Sequence, residues 1–281
     1  MNVTFWGVRG SIPAPGPKTV KYGGNSSCVE LRLSNNEIII FDAGTGIREL
    51  GLKLLKEKKP LRIHLLLSHG HMDHVHGFPF FGPTYVKQNH ITVAGCPRGG
   101  KQVKDMLKRQ MGDIYFPVEY DGLPAKFDYI VYCKGQALKV GKSKIYTCET
   151  NHPGEGISFR VEEKGKSFVY MTDNELMDDR PKAFPFQNFV DFVKGADFLL
   201  CDTQYTPAEY KRTKGWGHPR HTDTARLVVE GGVKKVALFH HDPEHDDRKI
   251  DWMIKKTREE VKKLGGKTKV IGAREGLTVT V

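Results

Sequence analysis

The stretch S-H-G-H-M-D-H at 68–74 decides how the rest of the chain is read. It follows RIHLLL (62–67), a short apolar run bounded by turn signals, which predicts a buried strand. His69 and His71 stand two residues apart, and Asp73 and His74 follow at once. Neutral imidazole and carboxylate suit zinc and other borderline divalent cations. Four such side chains this close together cannot share one helix face or one strand face. They fit a tight loop at a strand end that presents ligands to two neighbouring points in space.

Outward from this loop the same arrangement recurs. EIIIF (37–41) runs into Asp42, KIYTCE (144–149) precedes Asn151 and His152, and SFVYMT (167–172) runs into Asp173. DFLLC (197–201) runs into Asp202, and VALF (236–239) into His240. Helical patterns lie between some of these runs, at 45–57, 101–111, 187–195, 222–231 and 247–264. Strands mixed with helices, with chemistry gathered at strand ends, predict an α/β architecture whose site lies along one sheet edge. No repeat, low-complexity tract or linker divides the chain, so one domain is expected over 1–281.

The 281 residues can bury a sizeable core without staples. Lys and Arg exceed Asp and Glu by 44 − 33 = 11, an excess that steers anionic partners. The charge is dispersed, however: KKTREEVKK (255–263) mixes basic and acidic residues at helical spacing and reads as a solvated helix face. Charge alone therefore does not establish nucleic-acid binding. Apolar runs such as IIIF (38–41) and FLLC (198–201) fall far below the roughly 18 residues of a membrane span. The start MNVTFWGVRG has no apolar signal region, so a cytoplasmic location and no membrane partner are expected. Five cysteines without a CxxC pair predict reduced thiols and leave any metal to other ligands.

The order of these motifs resembles the metallo-β-lactamase superfamily, whose signature is HxHxDH. Asp42 in FDAGTG matches its first motif, the 69–74 ligands the second, His152 in NHPG the third, Asp173 in TDNE the fourth, and His240 in LFHHDP the fifth. The resemblance implies an αββα sandwich: two mixed β-sheets face to face with flanking helices. It also implies two divalent metal ions, one on His69, His71 and His152 and the other on Asp73, His74 and His240, with Asp173 bridging both. Zinc is expected first. Manganese and iron also fit, because a His/Asp site discriminates weakly among them.

Other histidines read differently. His64 lies within a strand, His76 and His90 match no motif, and His241 points away from His240 if strand geometry persists. Iron-dependent oxygen-reducing members of the superfamily carry Glu where this chain has His71. Lactam-hydrolysing members often lack the second His and carry Cys in the fourth motif. The phosphodiesterase branch and the glyoxalase-II-like thioesterases remain. DFLLCDTQYT (197–206) with GWGHPRHTDTA (215–225) resembles the paired motifs of the phosphodiesterase branch. There a His matched by His218 protonates the leaving alkoxide, oriented by an acid matched by Asp202. The chain reads HPRHT where the family often has HST, so His221 competes for that role. Asp202, His218 and Asp73, the last also a ligand, form the expected catalytic group.

His152 and Asp173 are 173 − 152 = 21 apart, which leaves no room for the substrate-recruiting arm of tRNA 3′-end endonucleases. The expected function is a dinuclear phosphodiesterase that hydrolyses a small phosphodiester, a cyclic nucleotide first, with hydroxide held by the metals attacking phosphorus. The alternatives are an RNA-processing nuclease resembling the tRNA 3′ endonuclease, with RNA disfavoured as partner, and a glyoxalase-II-like thioester hydrolase. A homodimer is compatible with either. The chain resembles most the bacterial cyclic-nucleotide and cyclic-ribose-phosphate phosphodiesterases of this superfamily. WGVRGSIP…YGGNSSC (6–28) shares that resemblance, and its Gly-rich turns, with Arg9, Asn25 and Ser26, are expected to let backbone N–H groups approach an anionic substrate.

Overall fold

The computed structural model describes residues 1–96, 103–112, 114–132 and 137–281. Among them, fourteen strands form two seven-stranded mixed sheets. The first takes β1 (Asn2–Gly7), β2 (Cys28–Arg32), β3 (Ile38–Phe41), β4 (Arg62–Leu67), β5 (His90–Gly95), β6 (Lys126–Val131) and β14 (Thr278–Thr280), in the order β14-β1-β2-β3-β4-β5-β6. The second takes β7 (Leu138–Val140), β8 (Ser143–Thr150), β9 (Gly156–Glu163), β10 (Lys166–Met171), β11 (Phe198–Asp202), β12 (Lys235–Phe239) and β13 (Lys269–Gly272), in the order β13-β12-β11-β10-β9-β8-β7. In each sheet one half pairs antiparallel and the other half parallel, β3 to β6 in the first and β10 to β13 in the second.

The short apolar runs are strands buried on both faces, which is why they lack the polar alternation of a half-exposed sheet. Ile39 and Phe41 of β3, with Phe198 and Leu200 of β11, meet between the sheets alongside Phe5, Phe159, Phe168 and Phe239. Their neighbours turn outward. Ile38 and Ile40 pack on α1 (Gly46–Leu55), while Leu199 and Cys201 join the layer of α4 (Phe186–Val193), α6 (His221–Glu230) and α7 (Asp247–Lys263). The αββα sandwich implied by the resemblance is the fold observed.

The helical expectations at 45–57, 187–195, 222–231 and 247–264 correspond to α1, α4, α6 and α7. The one at 101–111 shortens to α3 (Val103–Lys108), its first two residues lying outside the described ones. A helix not anticipated, α5 (Pro207–Thr213), is nucleated by a capping box in which Thr206 Oγ1 accepts from Glu209 N–H and Glu209 accepts from Thr206 N–H. The 68–74 segment is only half a loop: Met72–Val75 forms a single helical turn, α2, which carries Asp73 and His74. Cys28 and Cys201 are free and buried, but Cys96 is disulfide-bonded, so the reading of wholly reduced thiols does not hold. Cys133 lies outside the described residues. Among the described residues, no helix is long and apolar enough to cross a membrane.

Candidate metal centre

Every expected ligand sits at the end of a strand or in the turn that follows it. β3 delivers Asp42, β4 the 69–74 segment, β8 His152, β10 Asp173, β11 Asp202 and β12 His240. Three of these, Asp42, Asp173 and His240, take positive φ of 59°, 50° and 56°. This left-handed backbone is uncommon outside glycine and is most accessible to Asn, Asp and His. It breaks the strand at a residue whose side chain is a candidate ligand, Asp173 or His240, or holds one, Asp42.

The donors converge as two triads, His69 with His71 and His152, and Asp73 with His74 and His240, each with its ligand atoms within 4.8 Å of one another. Asp173 lies between them. Its Oδ1 is 3.8 Å from Nε2 of both His69 and His152, and its Oδ2 is 3.3 Å from His74 Nε2 and 3.4 Å from His240 Nε2. One carboxylate oxygen thus faces each triad.

The imidazoles are aimed by what holds their other nitrogen. His74 Nδ1 bonds Asp42 Oδ2 at 2.7 Å, His240 Nδ1 bonds Gln204 Oε1 at 3.0 Å, and His69 Nδ1 lies 3.1 Å from Ser68 Oγ. In each case Nε2 is left to the centre. Asp42, fully buried, also accepts from Ser68 N–H, Ser68 Oγ and Tyr170 Oη. Two glycines make room. A Cβ on Gly217, at φ +93°, would fall 1.9 Å from His152 Nδ1, and one on Gly10 would fall 2.4 Å from His240 Nδ1. Glu175 pins the Gly217 turn by accepting from Gly215 N–H at 2.9 Å and Gly217 N–H at 3.0 Å.

This donor set fits metal. His69 Nε2 is buried and has no hydrogen-bond partner among the described residues. Burial pushes His69 well below the usual imidazole range and His152 down to about 4, so both present lone pairs. The other half has the opposite balance. Burial opposes charge on His74, but Asp73, Asp173 and Asp42 lift it well above its usual range. His240 is raised to about 9 against its burial by Asp173 and Asp73. That half calls for positive charge, which a divalent cation supplies.

Beside the triads, His218 Nδ1 bonds Asp202 Oδ2 at 2.8 Å, and its ring stacks on His240 with centroids 5.1 Å apart. Burial raises the Asp202 carboxyl above its usual range, against the pull of His218. His221 is elsewhere: it opens α6 and meets Trp252 of α7 edge-on at 5.8 Å. Of the two competing histidines, the fold brings only His218 to the metal cluster.

The N-terminal stretch departs from expectation. Arg9 is fully buried, its guanidinium bonded to the carbonyls of Gly23, Asp242 and His245. Asn25 is engaged by Glu275, and Ser26 Oγ accepts from Thr45 N–H. What this stretch contributes is the Ser11 N–H, 2.8 Å from Asp73 Oδ2. His90 pairs with Asp128, His64 lies within β4, and His241 turns away to bond Ala273 O at 3.0 Å. His76 lines a neighbouring cavity. Gln204, Tyr170 and Glu175 went unassigned in the sequence because each acts only through a distant partner.

A model of the Beta-lactamase superfamily domain matches residues 37–241, a span that contains all the candidate ligands. The chain is 26% identical over 300 residues to a ribonuclease Z from Lactobacillus johnsonii, covering 89% of this chain and 94% of that protein. Its fold is similar to that of the metallo-beta-lactamase fold protein YhfI from Bacillus subtilis, with a TM-score of 0.72 at 18% identity over 99% of this chain and 98% of the other. It is also similar to a diphosphatase of the PhnP family, with a TM-score of 0.69 at 14% identity, covering 100% and 97% of the two chains.

Proposed function

The chain belongs to the metallo-β-lactamase superfamily, and from that membership we propose that it is a phosphodiesterase working with two divalent cations, zinc before manganese or iron. His69, His71 and His152 would hold one cation and Asp73, His74 and His240 the other, with Asp173 shared. The observation that carries this reading is Asp173, with Oδ1 toward one triad and Oδ2 toward the other. When bound, such a pair lowers the pKa of water and offsets charge developing on the phosphoryl oxygens.

The chain's own residues do the rest. Asp42, Gln204 and Ser68 hold the imidazoles so that Nε2 faces inward, and the Asp173 carboxylate would lessen the repulsion between two bound cations. Asp202 accepts from His218 Nδ1, which fixes the tautomer and ring plane and leaves Nε2 to deliver a proton to the departing oxygen. A departing alkoxide needs that proton far more than a thiolate does, which favours a phosphodiester over a thioester.

For substrate we propose a small nucleoside phosphodiester, a cyclic nucleotide first. Of the 20 residues between His152 and Asp173, 156–171 form the β9–β10 hairpin with its Lys164–Gly165 turn, which supports a small substrate over one gripped by an arm. RNA is the second reading, favoured by the similarity to ribonuclease Z and by the net charge of +11. The test is metal-dependent hydrolysis of 3′,5′- and 2′,3′-cyclic nucleotides, bis(4-nitrophenyl) phosphate, a tRNA precursor and an acyl-glutathione. Turnover of cyclic phosphates, lost with chelator and restored by zinc, is expected. Cleavage of the precursor alone moves the protein to the second reading, and turnover of the acyl-glutathione alone overturns both.

A further inference from the structure

His71 also lines a cavity of 770 Å³ next to the metal centre, within the range of small-molecule sites. The turn Phe78–Phe80, α3 and the segment after it build the walls, with Phe80, Met106, Tyr115 and Phe116 contributing apolar surface. Phe80 and Phe116 meet edge-on at 5.3 Å, yet Phe80 stays 59% exposed and Tyr115 77%. Large aromatic faces left open beside a buried polar centre mark a binding surface.

Gln110 lines the same cavity, and both its amide atoms, Oε1 and Nε2, are buried with no hydrogen-bond partner among the described residues. A buried amide without partners is destabilising, so its retention calls for an occupant. It offers one donor and one acceptor side by side, the complement of a planar ring carrying an acceptor next to a donor on its edge. Asp105 and Glu155 also line the cavity and oppose a second phosphate, with Arg109 the one Lys or Arg among the described lining residues. The occupant is therefore planar, aromatic, uncharged and edged with hydrogen-bonding groups.

We propose that this cavity is a nucleobase subsite, in which the base lies against Phe80, Tyr115 and Phe116, Gln110 reads its edge, and the phosphodiester extends past His71 to the metals. The proposal rests on the phosphodiesterase reading, and its first test is independent of catalysis. Full-length protein kept in chelator is titrated calorimetrically with the four nucleoside 5′-monophosphates and with ribose 5-phosphate. At least one nucleotide is expected to bind tenfold or more tightly than ribose 5-phosphate, and Gln110→Leu should weaken it by about 5- to 150-fold, the worth of a bidentate amide–base pair. Equal binding of ribose 5-phosphate and all four nucleotides overturns the proposal. Gln110→Leu removes an unpaired polar group, so its melting temperature should hold or rise, which separates lost recognition from lost folding. In the metal-loaded enzyme the variant's preference for a nucleoside diester over bis(4-nitrophenyl) phosphate should shrink by a similar factor, and an unaltered preference also overturns the proposal. If the wild type turns over neither ester, the phosphodiesterase reading fails while the chelated titration still decides the subsite.

Discussion

Asp42 touches no candidate metal position, yet its replacement should disable the centre. Four hydrogen bonds end on its carboxylate: Ser68 N–H at 2.7 Å on Oδ1, and Ser68 Oγ at 2.8 Å, His74 Nδ1 at 2.7 Å and Tyr170 Oη at 2.7 Å on Oδ2. The residue is fully buried, so water cannot replace it. Alanine would strand four donors at about 1–3 kcal/mol each, a sum comparable with the whole stability of a domain. Asparagine is the informative change, because it tolerates the φ of 59° and preserves shape. Its amide oxygen can replace only one carboxylate oxygen. The cheaper orientation keeps that oxygen at Oδ2 and sets the NH₂ against Ser68 N–H, which loses one bond and places two donors together. We expect about 2–4 kcal/mol of destabilisation, or roughly 4–12 °C in melting temperature at this size. The loosened His74 should also lower metal affinity by about 10- to 100-fold, typical when a residue orienting a ligand is lost. Thermal melts in chelator measure the first effect, and zinc competition against a chromophoric chelator the second. Unchanged zinc affinity alongside a lowered melting temperature would refute the positioning argument, and no change in either would refute the hydrogen-bond accounting.

His218→Ala should cost about 10²–10⁴ in rate on a cyclic nucleotide, and much less on bis(4-nitrophenyl) phosphate, whose nitrophenolate departs unprotonated; equal losses would make His218 structural. Gly217→Ala places a methyl 1.9 Å from His152 Nδ1 and should displace that ligand, so a calorimetric zinc titration should show affinity reduced by at least about tenfold. Wild-type affinity there would show that the turn has slack. Burial alone would raise Glu209, but its bonds to Thr206 and the nearby Lys249 and His245 lower it from 4.5 to about 2. A depressed carboxyl contributes stability that is present above its unfolded value and lost as pH falls through the folded one. Melting temperature in chelator should therefore fall between pH 4.5 and 2 more steeply for the wild type than for Glu209→Gln, and parallel curves would count against it.

The candidate ligands, and the strands that carry them, were legible in the sequence where the signal is local. Apolar runs of strand length ending in His or Asp identify both the element and the residue it delivers, and these runs became β3, β4, β8, β10, β11 and β12. The choice between His218 and His221 was not local. They stand three residues apart, and the selection comes from Glu175 holding the turn while α6 carries His221 toward Trp252. Arg9 misled for a related reason: a cation among glycines suggests an anion site, but its buried cage is completed by the His245 carbonyl, 236 residues away. Gln110 had no periodicity or motif to announce it. An unpartnered amide is a property of its surroundings and becomes visible only once they are assembled.

The left-handed backbone at Asp42, Asp173 and His240 bears on how the centre can be redesigned. At His69, His71, His74 and His152, where φ is negative, exchanging one candidate ligand type for another adds no left-handed backbone strain. At the three strand ends a β-branched or bulky replacement adds about 1–3 kcal/mol of backbone strain to whatever it does to the metal. Comparisons meant to tune metal preference are therefore interpretable at the first group. At the second they stay within the narrow set of Asp, Asn, His and Gly.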